Sequence, residues 1–553
     1  MILIKNLTRL FLIASVMLAC NDSEKTGNKN PVQGSEASEV RIVKELTSSG
    51  KIKNLLEKVS DSTYTGKLEL DNFKEVSEFY EARDNEPIWN DPILRKSLLS
   101  QVDSAKNEGL FPEDYHREYL YNSLENIGTL NIEQLNELEL GLTDAYFSLA
   151  GDLSTGKLDP KKLYSIWDIK SYSPNLFKLL DSALTKQDIQ WALDSVKPKH
   201  LVYQGLKKSL KEYEVLKDSE KEITRISLGK LVRPGEIDPR IPRIKKRLQE
   251  LNLISTIINP DSLSTTYNRN IEEGIRTFQK QSDLEIDGII GNTTIENLNK
   301  NYEDRYNQIL ANLERWRWHP RDFGDHYIII NIANYRLHII KDKDTVGTHK
   351  TMVGTEARKT PVFSKDLGYV VYNPTWTIPP TIKKRDVIPS ATKDPSYLKK
   401  KKLNVYDRDG NKLDPSTIDW SSPEALRYTY RQNAGSTNPL GRVKIIYPNR
   451  YMIYLHDTPS QSLFNKNKRA QSSGCVRVEN AIPLSKYLLS DQEKYSEEKI
   501  EEVIASGKTT EIKITQPIQI HHLYWTAWRE KGITHFADDV YHLDEEIFSK
   551  LKN

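Results

Sequence analysis

Gln471-Ser472-Ser473-Gly474-Cys475-Val476-Arg477-Val478-Glu479-Asn480 places a thiol directly behind a run of small polar residues and a glycine. Buried, inert cysteines usually sit in apolar runs; this context reads instead as an exposed turn. A cysteine nucleophile needs an imidazole to take its proton and backbone N–H groups aimed at the developing oxyanion. Both are within reach. The turn Ser473-Gly474-Cys475 can present the sulfur and point the amides of Gly474 and Cys475 at an acyl oxygen. Nineteen residues upstream, Tyr454-Leu455-His456-Asp457-Thr458-Pro459 ends a strand-like segment on a histidine. Asp457 is next to His456 and would project to the other face of a strand, so a backbone carbonyl such as that of Ser473 is expected to orient the ring.

The segments around this stretch have a period of two. Tyr327–Ile332, Arg336–Ile340, Thr348–Val353, Tyr369–Tyr372, Val443–Tyr447, Tyr451–Leu455 and Glu511–Ile514 read as strands, with turn residues at Asn334, Asp342 and Pro448-Asn449. A β-rich domain over 303–546 follows. Residues 381–441 interrupt it with a basic insertion containing Lys383-Lys384-Arg385 and Lys399–Lys402; insertions of that length inside a domain are usually functional, and this one is read as a lid. His521-His522 would diverge on a strand and have no spaced carboxylate, so no metal is expected.

Upstream, residues 236–302 give three short helices with a tight Asp287-Gly288 turn, and 41–235 give a helical scaffold. Val43–Val59, Leu68–Ala82, Asp91–Glu108, Ile132–Leu153 and Tyr203–Glu214 carry apolar residues at helical spacing. Residues 1–20 have Lys5 and Arg9 ahead of an apolar run, the layout of a secretory signal, and Met17-Leu18-Ala19-Cys20 looks like a bacterial lipobox with Cys20 as the lipidated residue. Residues 21–40 are polar and fit a disordered tether. With Cys20 so assigned, Cys475 is a lone thiol retained in an oxidising compartment, which points to chemistry. The 80 basic and 77 acidic residues, net +3 and interspersed, exclude an electrostatic footprint for nucleic acid. No cofactor and a monomer are expected.

The pattern His456, then Ser473-Gly474-Cys475-Val476-Arg477-Val478-Glu479-Asn480, resembles the signature of the YkuD-type L,D-transpeptidases. Ser473 stands where many members have histidine, a form shared by the large YcbB-like branch. Leu313-Glu314-Arg315-Trp316-Arg317-Trp318, Asn373-Pro374-Thr375-Trp376-Thr377-Ile378-Pro379-Pro380 and Tyr524-Trp525-Thr526-Ala527-Trp528 resemble that branch too. Phe278-Gln279 with Asp287-Gly288-Ile289-Ile290-Gly291 resembles the small peptidoglycan-binding domain. The implied architecture is multidomain α+β: helical scaffold, peptidoglycan-binding module, and catalytic domain with a lid. The resemblance implies cross-linking of the third residues of two peptidoglycan stems through a thioester on Cys475, with His456 as base and then acid. Arg477, Asn480, Tyr454 and Trp376 would contact substrate or brace the site. Sensitivity to carbapenems and a periplasm-facing membrane anchor are implied as well. The same residues also admit an L,D-carboxypeptidase, or a non-catalytic peptidoglycan-binding lipoprotein.

Overall fold

In a computed structural model of the chain, the described residues are 49–59, 68–219, 222–255 and 264–552. The signal-like segment, Cys20 and the tether lie outside them. Among the described residues no helix is long and apolar enough to cross a membrane.

The helical region is organised by one long element, Ile132–Thr155, which starts on a reciprocal cap between Asn131 and Gln134 and buries residues on nearly every side. Helices Ser49–Val59, Phe73–Glu81 and Pro92–Ser104 pack against it. Its fully buried carboxylate, Glu139, accepts from the Tyr80 hydroxyl at 2.8 Å and from the backbone N–H groups of Ile88 at 2.5 Å and Trp89 at 3.2 Å. Burial pushes this carboxyl up, yet without it the Ile88 and Trp89 N–H groups would lose their acceptor, and the Tyr80 hydroxyl would keep the Thr143 hydroxyl at 2.8 Å. Glu139→Ala is therefore expected to destabilise this region by about 3 kcal/mol in urea unfolding; a change under about 0.5 kcal/mol would show that the network is dispensable.

The segment read as one scaffold packs in two parts. Residues from Ile52 to Val196 form the helical core, whereas Tyr164, Trp167, Tyr203, Leu206 and Leu210 belong to the core of the β-rich domain. Trp167–Asp168 is itself an edge strand (β1). A separate small core, including Ile244, Ile271, Ile275, Phe278 and Ile295, holds helices Ile241–Glu250, Arg269–Gln281 and Asn292–Leu298 together.

The β-rich domain is built on a mixed sheet of twelve strands. Its remaining members are His326–Asn331 (β2), Arg336–Lys341 (β3), Asp344–Gly354 (β4), Val362–Asp366 (β5), Tyr369–Tyr372 (β6), Val443–Ile446 (β11), Leu455–His456 (β12), Ala470–Ser472 (β13), Val476–Val478 (β14), Thr510–Lys513 (β15) and Gln519–Leu523 (β16). The order is β1-β5-β16-β2-β3-β4-β14-β12-β11-β6-β15, with β13 also on β4. The insertion adds its own sheet from Trp376–Thr377 (β7), Leu403–Tyr406 (β8), Lys412–Leu413 (β9) and Thr429–Gln432 (β10). Ala527–Glu530 (β17) and Ile533–Phe536 (β18) form a hairpin.

Helix Tyr302–Arg317 docks against this domain, and the two aromatic motifs meet there: the Trp316 and Trp525 rings stack at 4.4 Å, and Asn312 donates to the Thr526 hydroxyl at 2.7 Å. These residues are internal packing.

The strand expected over Tyr451–Leu455 is a correction. Only Leu455–His456 pairs. Ahead of it the Asn449 side chain takes over the backbone, accepting from the N–H groups of Tyr451 and Ile453 and donating to the carbonyls of Tyr447 and Ile453, and Met452 is left-handed at φ 56°. An asparagine that satisfies four main-chain groups outcompetes a ladder.

Candidate active site

The site is positioned by the end of β4. β3 runs beside β4 only as far as Lys350; beyond it the Thr351 N–H bonds the Tyr335 carbonyl and the Val353 N–H bonds the Arg469 carbonyl. Alternate N–H groups of a strand point to one side, so β13 takes over the side that β3 leaves, while β14 lies on the other. Ser473-Gly474-Cys475 thus carries the chain around the end of β4. Two glycines allow this. Gly474 has φ 115°, a conformation that side chains disfavour. At Gly354 a Cβ would sit 2.0 Å from the Arg358 carbonyl oxygen.

Strand register then assembles the polar groups. Lys444 on β11 lies opposite His456 on β12, and His456 opposite Arg477 on β14. Cys475 and Tyr454 immediately precede β14 and β12, two residues from Arg477 and His456, and the side chains meet on one face: Tyr454, Lys444 and Arg477 all act on the Cys475 thiol. The Lys444 ammonium sits 3.9 Å from the centre of the Tyr454 ring, and the Tyr454 and His456 rings are 5.7 Å apart. The Cys475 sulfur approaches the Met452 carbonyl at 3.8 Å, and the Tyr454 side chain and backbone N–H both face it.

His456 is 5% exposed. Its Nδ1 meets the carbonyl of Asp457 at 2.6 Å, which replaces the Ser473 carbonyl expected from the sequence. The Asp457 side chain turns away and accepts from the Arg442 N–H at 2.8 Å. Burial, then the neighbouring Arg477 cation, push the imidazole down to about 3. Burial also pushes the Cys475 thiol up, while Tyr454, Lys444 and Arg477 pull it down. For both groups burial favours the uncharged form. Among the described residues Arg477 has no ion-pair partner, and its buried Nε lacks a hydrogen bond; a guanidinium in that state is suited to a carboxylate brought in by a ligand.

Of the two amides expected to face an oxyanion, that of Gly474 is engaged, donating to the Ser472 hydroxyl at 3.1 Å, which in turn donates to the Cys475 carbonyl at 2.5 Å. No acceptor for the Cys475 N–H occurs among the described residues. Ser473 is exposed and its hydroxyl accepts from Arg358 at 2.9 Å. Tyr454 and Trp376 line one groove of about 530 Å³, with Lys444 and Met452. Asn480 does not. It is exposed and left-handed at φ 53°, five residues beyond Cys475, roughly 16 Å along extended chain, and it turns β14 into helix Ala481–Leu488.

Lys444 escaped the sequence reading, its only signal being a charge within Val443-Lys444-Ile445-Ile446. Its cation favours the thiolate. Lys444→Met is therefore expected to move the pH midpoint of Cys475 alkylation upward and to slow alkylation at pH 8 by roughly tenfold; an unchanged or lowered midpoint would exclude this role.

His521 and His522 diverge on β16, the first meeting the Ser364 hydroxyl at 2.8 Å and the second the Tyr447 hydroxyl at 2.9 Å. Asp71, His116 and Asp144 do cluster in the helical region, but Asp144 is taken up by the Asn72 N–H at 2.7 Å and by His116 at 2.6 Å.

Comparison with known proteins agrees with this layout. Residues 74–210 match the family described as a scaffold domain, 238–298 the "Putative peptidoglycan binding domain", and 325–503 the L,D-transpeptidase catalytic domain, YkuD. A Haemophilus influenzae protein named "Putative L,D-transpeptidase" is 38% identical over 247 residues, covering 44% of this chain and 50% of that protein. The chain thus matches about half the length of that relative. Among solved structures, an L,D-transpeptidase from Xylanimonas cellulosilytica is 14% identical with a TM-score of 0.17, over 54% of this chain and 98% of that one. A fused Zn-dependent amidase/peptidase/peptidoglycan-binding protein from Clostridium acetobutylicum is 12% identical with a TM-score of 0.14, over 53% and 99%. Scores this low add nothing to the fold. The chain therefore carries a YkuD-type L,D-transpeptidase catalytic domain behind a scaffold domain and a peptidoglycan-binding domain.

Proposed function

We propose that this protein is a cell-envelope L,D-transpeptidase that joins the third residues of two peptidoglycan stems through a thioester on Cys475. The observation that carries it is the convergence of Cys475, His456, Tyr454, Lys444 and Arg477 on one sheet face, at the end of a groove whose lining reaches Met452 and Tyr454, the residues that face the sulfur.

In the first step the Cys475 sulfur attacks the carbonyl carbon of the amide after the third stem residue. The S–C bond forms, the thiol proton passes to His456, and the C–N bond breaks as His456 returns that proton to the leaving D-amino acid. In the second step the side-chain amine of an acceptor stem attacks the thioester carbonyl. The new amide forms, the C–S bond breaks, and the amine's proton travels through His456 to the departing thiolate. Lys444 and Arg477 favour the thiolate and offer positive charge to the donor's carboxylates. The Cys475 amide, which has no acceptor among the described residues, donates to the oxyanion in this reading. The lid shields the thioester from water. Lipidation of Cys20 would hold the body at a membrane facing the wall.

Purified disaccharide tetrapeptide incubated with the soluble body lacking residues 1–20 tests the reading by mass spectrometry. A dimer joined through two third-position residues supports it. Tripeptide alone makes the protein a carboxypeptidase, and unchanged substrate makes it a wall-binding protein.

A further inference from the structure

The insertion is a body of its own. Ile378, Val387, Ala391, Leu398, Val405 and Tyr430 form a core separate from that of the catalytic sheet, and β7, β10, β8 and β9 form a separate sheet. Its first residues, 376–380, line the groove, and a unit with its own core and sheet is held to its neighbour by the few groups that reach across. Among the described residues a single ion pair joins it to the rest of the protein: Arg358 to Asp386, with the two guanidinium nitrogens each 2.7 Å from one carboxylate oxygen.

Both partners are placed by irregular backbone. Asp386 directly follows Lys383-Lys384-Arg385 and lies in a π-helical turn, Lys383–Val387. Pro389 follows within the next helix, Ile388–Lys393; it has no N–H to give a regular helical bond, and a wider turn accommodates that loss. Arg358 ends a short 3-10 turn, Glu356–Arg358, between β4 and β5. Its carbonyl occupies the space that the absent Gly354 side chain leaves. Close by, the Thr360 hydroxyl accepts from the Gly354 N–H at 2.9 Å and donates to the Gly474 carbonyl at 2.7 Å. The nitrogen of Arg358 that holds one Asp386 oxygen also donates to the Ser473 hydroxyl at 2.9 Å. One guanidinium therefore touches both the lid and the turn that presents Cys475.

We infer that Arg358 is a positioning residue that couples lid docking to the Cys475 turn: the Arg358–Asp386 fork holds the lid over the donor groove, and the bond to Ser473 holds the turn in register while it is closed. This rests on the transpeptidase reading for its consequence in catalysis, but the coupling itself is a property of the free protein. A planar fork is needed on the arginine side, and a lysine cannot hold both oxygens and the serine together. Ser473 gains a role here that does not involve the reacting atoms.

The test uses the full chain with Arg358→Lys, Asp386→Asn, Ser473→Ala and the exchanged pair Arg358→Asp with Asp386→Arg. Two readouts are independent of transpeptidation: amide hydrogen exchange over residues 376–432, and the rate at which a bulky maleimide labels Cys475. Asp386→Asn and Arg358→Lys are expected to speed both several-fold, and the exchanged pair to bring exchange over the lid back toward wild type. Ser473→Ala should speed labelling and leave lid exchange unchanged. If the protein cross-links stems, Asp386→Asn should raise the donor KM several-fold more than it lowers kcat. Unchanged exchange and labelling in Asp386→Asn would overturn the inference whether or not the protein is a transpeptidase. Faster exchange with no recovery in the exchanged pair, in a protein whose melting temperature matches wild type, would also overturn it.

Discussion

Cys475→Ala is expected to lower stem cross-linking by roughly a thousandfold or more, to the level of background, with no change in fold. The expected size comes from the reaction: without the sulfur no thioester forms, and the oxyanion donor and the two cations have no covalent intermediate to act on. The intact fold comes from packing. Among the described residues the sulfur's hydrogen-bonding neighbours are the Met452 carbonyl, at 3.8 Å, and the Tyr454 groups that face it, and Cys475 is half-buried at the edge of the core, so alanine opens no deep cavity. Turnover is measured by chromatography of reduced stem products, and thermal unfolding of the same samples checks the fold. Residual activity within tenfold of wild type would remove Cys475 from the mechanism.

His456→Gln should cost roughly 100- to 10,000-fold in kcat/KM, the range for losing a positioned acid–base group. Glutamine fills much of the ring's space and keeps a polar tip toward the Asp457 carbonyl, whereas His456→Ala would leave a hole in a site that is 5% exposed. The pH profile is the sharper check. Because burial and Arg477 push the imidazole down to about 3, it stays neutral, and able to accept a proton, throughout the range above that value. No acid limb near pH 6.5 is expected in the free-enzyme profile, and kcat/KM should fall only at alkaline pH, where the raised thiol loses the proton that His456 must pass to the leaving group. An acid limb centred near 6.5 would mean that the ring is far better solvated than its surroundings imply.

The two residues proposed to react stood out in the sequence because that chemistry demands a rare residue type in an unusual context: a cysteine after Ser-Ser-Gly, and a histidine closing a strand-like segment. The groups that surround them were not, because cross-strand register brings them together and sequence spacing carries no trace of it. Lys444 reaches His456 across an antiparallel pair whose connection runs through the Asn449 loop. Arg358 and Asp386 are 28 residues apart and belong to different bodies. The period-two reading failed over Tyr451–Leu455, where a side chain captured the main chain, and it missed β1, whose two residues gain their pairing from β5. Helices were more legible, since Ile132–Thr155 carries its own cap. The scaffold looked uniform in sequence because helical periodicity does not tell which core a helix faces.

The central claim is a covalent one, and trapping the acyl-enzyme tests it most directly. The soluble body is mixed with donor tetrapeptide in the absence of acceptor, quenched in acid within seconds, digested with pepsin and mapped by mass. A donor-derived adduct, lost on treatment with hydroxylamine, is expected on the peptide that contains Cys475. Turnover of the donor with no adduct in wild type, or with an adduct on any other residue, would contradict it.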